Sequence, residues 1–322
     1  MQTEGAVICL GEALFDQVVD GSGHQQNYPG GAPANVAVAL ARLGLPAEFV
    51  GCLGDDAQGE TLIEVLRHKG VGCQGIQRQQ KPTRIVEVRC SASGDRTFGG
   101  FIGGSTTDFA DAHLSAQKLP VALFQKAQGL VTGTLGLAYP ETQAAMEHAA
   151  TLVKAGGGQV VIDLNWRPTF WPRPQEALEK IQPWLAAADW IKLSTEEAIE
   201  LFGTAELGWL AQRFNLAQGI LVTDGEQGCK YIAAGQTGSL PAFLVTSQDT
   251  TGAGDAFLAG FIYQLSKQGW QVGQSANLKK MLTFASALGA LTTLKPGAIA
   301  AQPSLEQLFT FLNTHTGDTW TT

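Results

Sequence analysis

The sequence has no basic stretch of the kind that tracks a phosphate backbone. Acidic residues outnumber basic ones, 29 to 21, for a formal net charge of −8. Charged residues of both signs make up only 16% of the chain and hydrophobic residues 44%. This composition excludes a disordered polyelectrolyte, and the acidic balance argues against nucleic acid or an anionic membrane surface as partner. Paired cysteines are missing too. Cys9, Cys52, Cys73, Cys90 and Cys229 are scattered without a C-x-x-C pair, and an odd number of isolated thiols reads as a reducing compartment. His24, His68, His113, His148 and His315 show no metal-ligand spacing. No apolar run reaches the ~20 residues that span a bilayer. The longest, Met281 to Leu294, is interrupted by Thr283, Ser286, Thr292 and Thr293 and reads as a buried helix. The segment Met1–Leu10 has no basic start, and Ala6–Leu10 is too short for a signal peptide. A soluble, cytoplasmic protein is expected. Two common catalytic signatures are also absent: no Gly-Lys dipeptide, hence no Walker A loop, and no G-x-S-x-G elbow.

Glycine, by contrast, is abundant: 39 of 322 residues, about 12%, against an ordinary ~7%. With no collagen period, the excess points to tight turns and to backbone lying close to ligands. Short β-branched runs alternate with helical stretches. Strands are predicted at Ala6–Leu10, Glu48–Cys52, Gly129–Thr132, Gln159–Asp163, Trp190–Leu193 and Gly219–Thr223. Between and beyond them, helices are predicted at Pro33–Leu43, Gly59–Lys69, Pro140–Ala155, Gln175–Ala187, Glu196–Phe202, Leu207–Phe214, Ala253–Gln268 and Leu278–Thr292. Such alternation implies a mostly parallel sheet with helices on both faces. Two stretches break the rhythm. Ala13–Val19 and Thr83–Phe101 have a polar period of two, the latter with a turn at Gly94-Asp95, and read as antiparallel strands outside the main sheet, a candidate lid. No linker or repeat divides the chain, so residues 1–322 are expected to form one domain, with lid excursions near 12–32 and 83–107.

The segment with the clearest chemistry is Asp249-Thr-Thr-Gly-Ala-Gly-Asp-Ala-Phe257, which opens a predicted helix. Amides of Gly252, Ala253 and Gly254 at a helix N-terminus would meet an anion with unpaired N–H groups and the positive end of the helix dipole. Asp255, in the first turn, is placed to accept a proton from an attacking hydroxyl. By itself the segment is equally a glycine turn into a helix, because a G-x-G triplet arises about five times by chance at this glycine content. Gly70-Val-Gly-Cys-Gln-Gly75 formally matches the dinucleotide pattern, but it follows a helix instead of a strand, and Gly70 reads as a helix C-terminal cap. A nicotinamide dehydrogenase is excluded, since its glycines should follow the first strand. In Pro29-Gly-Gly-Ala-Pro-Ala-Asn35, Pro33 starts a small-residue helix whose packing explains the alanines but not Asn35, which is placed to bind a ligand hydroxyl.

Together, Gly30–Gly44 and Asp249–Phe257 resemble the two signature segments of the PfkB (ribokinase-like) carbohydrate kinases. Further ordered matches are Gly11-Glu-Ala-Leu-Phe-Asp16, Val50–Gly59, Asp163-Leu-Asn-Trp-Arg167 with Trp171, Lys192-Leu-Ser-Thr-Glu-Glu197 and Val222–Gly228. The resemblance, closest to fructokinases, implies an α/β fold: a ribokinase-like three-layer sandwich with a mostly parallel central sheet and a small β-strand lid. It implies ATP-dependent phosphorylation of a sugar primary hydroxyl, with fructose as the expected acceptor. Asp255 would be the general base and Gly252, Ala253 and Gly254 the anion hole. Asp16, Gly30, Gly31, Asn35, Phe101 and Arg167 would hold the sugar, with a structural ion pair the alternative for Arg167. Lys192, Ser194, Glu197, Thr223, Gly225, Gly228, Ala287 and Gly297 would surround the nucleotide. Glu197 would order Mg²⁺ through water, and Asp249 and Thr251 would ligate K⁺, unless Asp249 simply braces its loop. Lids of this kind often pair between subunits, so a homodimer is expected. Ribokinase, 2-keto-3-deoxygluconate kinase and nucleoside kinase are alternatives within the family; a catalytically silent binding protein is the alternative outside enzymes. One departure stands out. Where similar fructokinases carry an aromatic–Arg–Asn stretch, this chain reads Thr97-Phe-Gly-Gly-Phe-Ile-Gly-Gly-Ser-Thr-Thr107 and lacks the positive group.

Overall fold

The computed structural model describes residues 5–19, 22–90, 96–215, 217–272, 275–317 and 319–321. In chain order the elements begin with β1 (Val7–Leu10), β2 (Leu14–Val19), β3 (Gln25–Gly30), α1 (Ala32–Arg42), β4 (Ala47–Gly54), α2 (Ala57–His68) and β5 (Gly72–Gln79). Next come β6 (Ile85–Cys90), β7 (Arg96–Phe101), α3 (Val121–Gln125), β8 (Gly129–Thr132), α4 (Pro140–Ala155), β9 (Gln159–Asp163) and α5 (Ala177–Ala186). The chain continues through β10 (Trp190–Ser194), α6 (Thr195–Phe202), α7 (Leu207–Arg213), β11 (Gly219–Thr223), β12 (Cys229–Ala233) and β13 (Gln236–Leu240). It ends with α8 (Ala253–Lys267), α9 (Ser275–Thr292) and α10 (Leu305–Thr316). Among the described residues no helix is long and apolar enough to cross a membrane.

Nine strands form one sheet in the order β13-β12-β11-β10-β9-β8-β1-β4-β5, parallel from β5 to β11 and antiparallel at β12 and β13. Strand side chains alternate between its faces, and each face has its own core. Val7, Cys9, Phe49, Val131 and Trp190 pack on the side of α1, α2, α8, α9 and α10. Ile8, Leu10, Val50, Val160 and Ile191 pack toward α4, α5, α6 and α7. These near-continuous apolar strands are what burial on both faces requires, and the three-layer α/β sandwich is the one expected.

Parallel strands share the direction of their C-terminal ends, so Gly11 after β1, Asp163 on β9, Ser194 on β10 and Thr223 on β11 line one edge. The chain runs from β1 outward to β4 and β5, then returns to place β8 on the other side of β1. Such a reversal opens a crevice at the strand ends, where open α/β sheets bind ligands.

The second sheet has the order β3-β2-β6-β7. The expected antiparallel pairing holds for its two outer pairs, whereas β2 and β6 run parallel. The physical reason is that β1 and β5 run in the same direction in the main sheet, and β2 and β6 each follow the C-terminal end of one of them. The turn expected at Gly94-Asp95 lies outside the described residues. Gly70 does cap α2: its φ is +84°, and the Val71 N–H returns to Leu66 O at 3.0 Å. Strand β3, inside the expected lid excursion but not predicted as a strand, and helix α3 escape the sequence reading, and so do three further strands and a helix. The first is β5, which begins inside that same glycine-rich stretch. The β12–β13 hairpin and α10 complete the set.

Arg84, immediately before β6, ties the small sheet to the body. It is fully buried, and its guanidinium takes both oxygens of Asp111 at 2.7 Å. It also donates to Thr106 O at 2.9 Å and lies 4.6 and 4.9 Å from the ring centres of Phe109 and Phe101. Deleting one partner of a buried, hydrogen-bonded pair leaves a charge without compensation, at a cost of about 3–5 kcal/mol. Asp111→Ala should therefore lose about that much in urea unfolding, whereas the double change Arg84→Met with Asp111→Leu should recover most of it.

Candidate active site

The Asp249–Asp255 turn is built from one carboxylate. Asp249 Oδ1 accepts from the Thr251 amide at 2.9 Å and its hydroxyl at 2.6 Å, and Oδ2 accepts from the Gly297 amide at 2.8 Å. Asp249 thus braces the loop and joins it to the segment after α9. Gly252, the N-cap of α8, has φ +79°, and a Cβ there would lie 2.5 Å from that of Ala298. Glycine is required for both reasons. At Gly254 a Cβ would come within 2.9 Å of Lys192 Nζ. The Ala253 amide turns back to Thr250 O at 3.2 Å. The first helical bond is that of the Ala256 amide to Gly252 O, so Gly254 and Asp255 present amides with no intrahelical partner.

Asp255 receives a 2.7 Å hydrogen bond from Asn35 Nδ2, across a separation of 220 residues. This bond joins the first turn of α8 to the first turn of α1. Burial raises the Asp255 pKa above the ordinary carboxylate range, while Lys192 and the Asn35 bond oppose the rise. Lys192 is itself buried and pairs with both oxygens of Asp163 at 2.9 and 3.0 Å. Burial disfavours its charge, but Asp163, Glu197 and Asp255 outweigh that and hold the ammonium above its usual range. Of the predicted nucleotide residues, Lys192 therefore sits beneath the glycine turn, facing carboxylates.

Around the start of α1, Gly31 has φ +107°, and a Cβ on it would strike the Glu12 carbonyl at 2.5 Å. Gly30 and Asp16 are adjacent: a Cβ on the glycine would lie 3.1 Å from Asp16 Oδ2. Asn35 is buried, and its Oδ1 has no partner in the structure. Phe101 packs edge-on against Phe170 at 5.0 Å, inside the aromatic cluster at the lid base.

Glu197 and Ser194 form a capping box at the start of α6. Glu197 Oε2 accepts from the Ser194 amide at 2.8 Å, while Oε1 accepts from the Trp166 amide at 3.1 Å and from Arg167 at 3.2 Å. Arg167 thus makes the ion pair foreseen as its alternative. A carboxylate holding three donors suits a water-mediated role toward Mg²⁺, an ion that keeps several waters and leans on phosphates. Direct ligation does not fit it.

On the other side of the α8 N-terminus lies a cavity of about 550 Å³, lined among others by Thr223, Gly225, Gly228, Phe257, Ser286 and Ala290. Gly228 has φ +94°, and a Cβ there would overlap Leu240 O. Ala287 is the one expected residue of α9 that does not face this cavity. It is fully buried in the core, because a 100° step per residue turns it away from the Ser286, Gly289, Ala290 and Thr293 face. Gly297 contributes through Asp249 and is not part of the wall. The sequence reading missed the Phe243–Val245 wall, which has no motif, and the roles of Glu12 and Asn165. Asn165 has φ +39°, a conformation asparagine tolerates. Among the described residues no group of three or more His, Cys, Asp or Glu side chains is arranged to hold a metal.

A three-layer sandwich with a glycine turn, a half-buried carboxylate and an adjacent cavity defines a phosphotransferase-like site. The chain belongs to the pfkB family of carbohydrate kinases, whose pattern it matches over residues 5–305. It is 36% identical to probable fructokinase-2 of Arabidopsis thaliana, covering 96% of each chain. Among solved structures it resembles fructokinase with bound ATP from Xylella fastidiosa, with a TM-score of 0.89 and 30% identity over 97% of this chain and 99% of that one. It also resembles Vibrio cholerae O395 fructokinase bound to fructose, ADP and calcium, with a TM-score of 0.86 and 32% identity over 96% and 99%.

The glycine turn yields a direct test. Gly252→Ala forces a left-handed alanine, at about 1–2 kcal/mol, and pushes against Ala298. Unfolding should register at least that loss, and kcat should fall with it as the amides shift. Unchanged stability and kcat would show that the turn does not need this conformation.

Proposed function

We propose that the protein is an ATP-dependent fructokinase that converts D-fructose to fructose 6-phosphate, with the whole chain acting as one kinase domain under its small-sheet lid. The observation that carries this reading is Asp255: a half-buried carboxylate at a helix N-terminus, with the Asn35 side on one flank and the 550 Å³ cavity on the other. The full-length likeness to fructokinases, including those solved with ATP and with fructose and ADP, supports it.

In this reading Asp16, Gly30, Gly31, Asn35, Phe101 and Arg167 surround the sugar, while Thr223, Gly225 and Gly228 bound the nucleotide. Asp255 accepts the proton of the primary hydroxyl as its oxygen forms a bond to the γ-phosphorus. The bond from that phosphorus to the β,γ-bridging oxygen breaks, and ADP leaves with the electron pair. Of the expected anion hole Gly252–Gly254, the Ala253 amide is taken by Thr250 O, and the Gly254 amide, with that of Asp255, offsets charge on the transferring group. Mg²⁺, when bound with ATP, neutralises phosphate charge, with Glu197 ordering its water. A Vibrio cholerae fructokinase variant has been solved with potassium, and Asp249 and the Thr251 carbonyl are the proposed K⁺ ligands here. A cytoplasmic location accords with the free thiols of Cys9, Cys52, Cys73 and Cys229 among the described residues.

ADP release with ATP and Mg²⁺ should depend on fructose in preference to glucose, ribose, 2-keto-3-deoxygluconate or adenosine. Asp255→Asn should lower kcat by about 10²–10⁴-fold, the range of general-base contributions. The base must be ionised, and its pKa is raised, so activity should fall with decreasing pH at a point above the ordinary carboxylate value of about 4. Fructose-independent ADP release unaffected by Asp255→Asn would overturn the reading.

The lid is also the proposed dimer surface. Phe98 and Ile102 are 43% and 36% exposed there, unusual for large apolar side chains. Sedimentation should give a dimer for the wild type and a monomer for Phe98→Asp; a monomeric wild type would sink the proposal.

A further inference from the structure

A second, smaller cavity of about 130 Å³ lies where the segment leading into α5 meets the start of α4 and the chain at Thr107. It shares no lining residue with the 550 Å³ cavity. Its polar lining consists of Thr107, Trp171, Arg173, Glu176 and Lys180. Trp171 is 4% exposed, and its Nε1–H is buried without a hydrogen-bond partner. An indole nitrogen only donates, so a donor enclosed to this degree calls for an acceptor. Trp166, whose ring centre is 5.8 Å away, is likewise unpartnered at Nε1 but does not line the cavity. Lys180 Nζ donates to Leu137 O at 3.1 Å, and among the described residues its charge meets no ion-pair partner. Glu176, the one carboxylate of the lining, is already paired with Arg173 at 2.8 Å. The wall thus presents two cations against one anion, together with an unsatisfied donor.

We propose that this cavity is a binding site for a small oxyanion, held by Trp171 Nε1–H and the Lys180 ammonium, with Arg173 and the Thr107 hydroxyl at its rim. Its volume is several times the roughly 30 Å³ share of one water and well below the ~300 Å³ at which sites for larger organic ligands begin. It therefore admits an ion of a few heavy atoms and excludes a nucleotide. A cation would be repelled by Lys180 and Arg173, and an apolar guest would leave the indole N–H unpaired. A tetrahedral oxyanion and a carboxylate both supply the missing acceptor and counter-charge. The bound ion joins the Thr107 segment, which follows the small sheet, to α5. The assignment stands on these contacts alone and does not depend on the kinase reading.

The test is calorimetric titration of the full chain with phosphate, sulfate or acetate, at ionic strength held constant with sodium chloride. Wild type should bind at least one of the three saturably, with a change in tryptophan emission that is lost in Trp171→Phe. Lys180→Met should weaken binding by about 10–100-fold, the value of a hydrogen bond to a charged group. Lys180→Arg should restore most of it. Binding of phosphate and sulfate without acetate identifies a tetrahedral ion, and binding of acetate a carboxylate; either supports the site. If Trp171→Phe does not fold, the two Lys180 variants decide. An ion bound equally by wild type, Trp171→Phe and Lys180→Met sits elsewhere, as at the glycine turn of α8, and overturns the proposal. So does the lack of saturable binding by all three ions, which leaves water as the partner of Trp171, or equal affinity for uncharged glycerol.

Discussion

Four carboxylates, Glu12, Asp163, Glu197 and Asp255, meet at the C-terminal edge of one sheet, and the site depends on keeping each in a different state. Unscreened, their mutual repulsion in a buried crevice would protonate several of them. Each is therefore given separate partners. Asp163 takes Lys192. Glu197 takes two backbone amides and Arg167. Glu12 takes an amide and Asn165, and Asp255 takes Asn35. The Lys192 ammonium lies among Asp163, Glu197 and Asp255, so its charge favours ionisation of Asp255 without bonding to it. Asn35 bonds Oδ2 of Asp255, and the carboxylate keeps further lone pairs with which a proton can be accepted.

The fold supplies these separations. Asp163 and Lys192 are paired neighbours in the register of β9 and β10, so their side chains emerge on the same face. Glu12 follows β1, at the strand where the chain reverses its direction across the sheet. Helices α1 and α8 pack together on that face, and their first turns converge with Asn35 and Asp255 in contact. No single segment contains the site. Only the closure of contacts between residues more than two hundred positions apart assembles it, while the helix N-termini leave amides free toward the same crevice.

Much of this arrangement was readable in the sequence. The central strands and helices followed from apolar periodicity, and the turns at Gly31, Gly228 and Gly252 from glycine where the backbone takes positive φ. What escaped did so for identifiable reasons. Strand β5 is a polar edge strand, with only one neighbour and no apolar alternation. The β12–β13 hairpin turns at Ala234-Gly235, without the Asn-Gly or Asp-Gly signal. Ala287 was placed near the cavity because its helix is, but the orientation within a helix is fixed by packing against α8. Glu12 sat inside a recognised motif with no role, since its burial and its bonds to Ala32 and Asn165 are properties of the folded state only.

The lid departure acquires a meaning once the cations are located. The stretch Thr97–Thr107 contains no arginine or lysine, and the Arg84 guanidinium, 4.9 Å from the Phe101 ring centre, is paired with both oxygens of Asp111. Lys192 is engaged by Asp163, and Arg167, although its side chain is 55% exposed, by Glu197. The acceptor side thus offers carboxyls, an amide and glycine backbone, and its cations are already neutralised. An acid sugar such as 2-keto-3-deoxygluconate would bring a carboxylate into this field with no uncommitted counter-charge among these groups, and burying an unpaired charge costs several kcal/mol. A neutral polyol brings hydroxyls, which both donate and accept, and one of them matches Asn35 Oδ1, which has no partner in the structure. With the acceptor held by the residues proposed for it, the electrostatics of the crevice favour a neutral hexose over an anionic one.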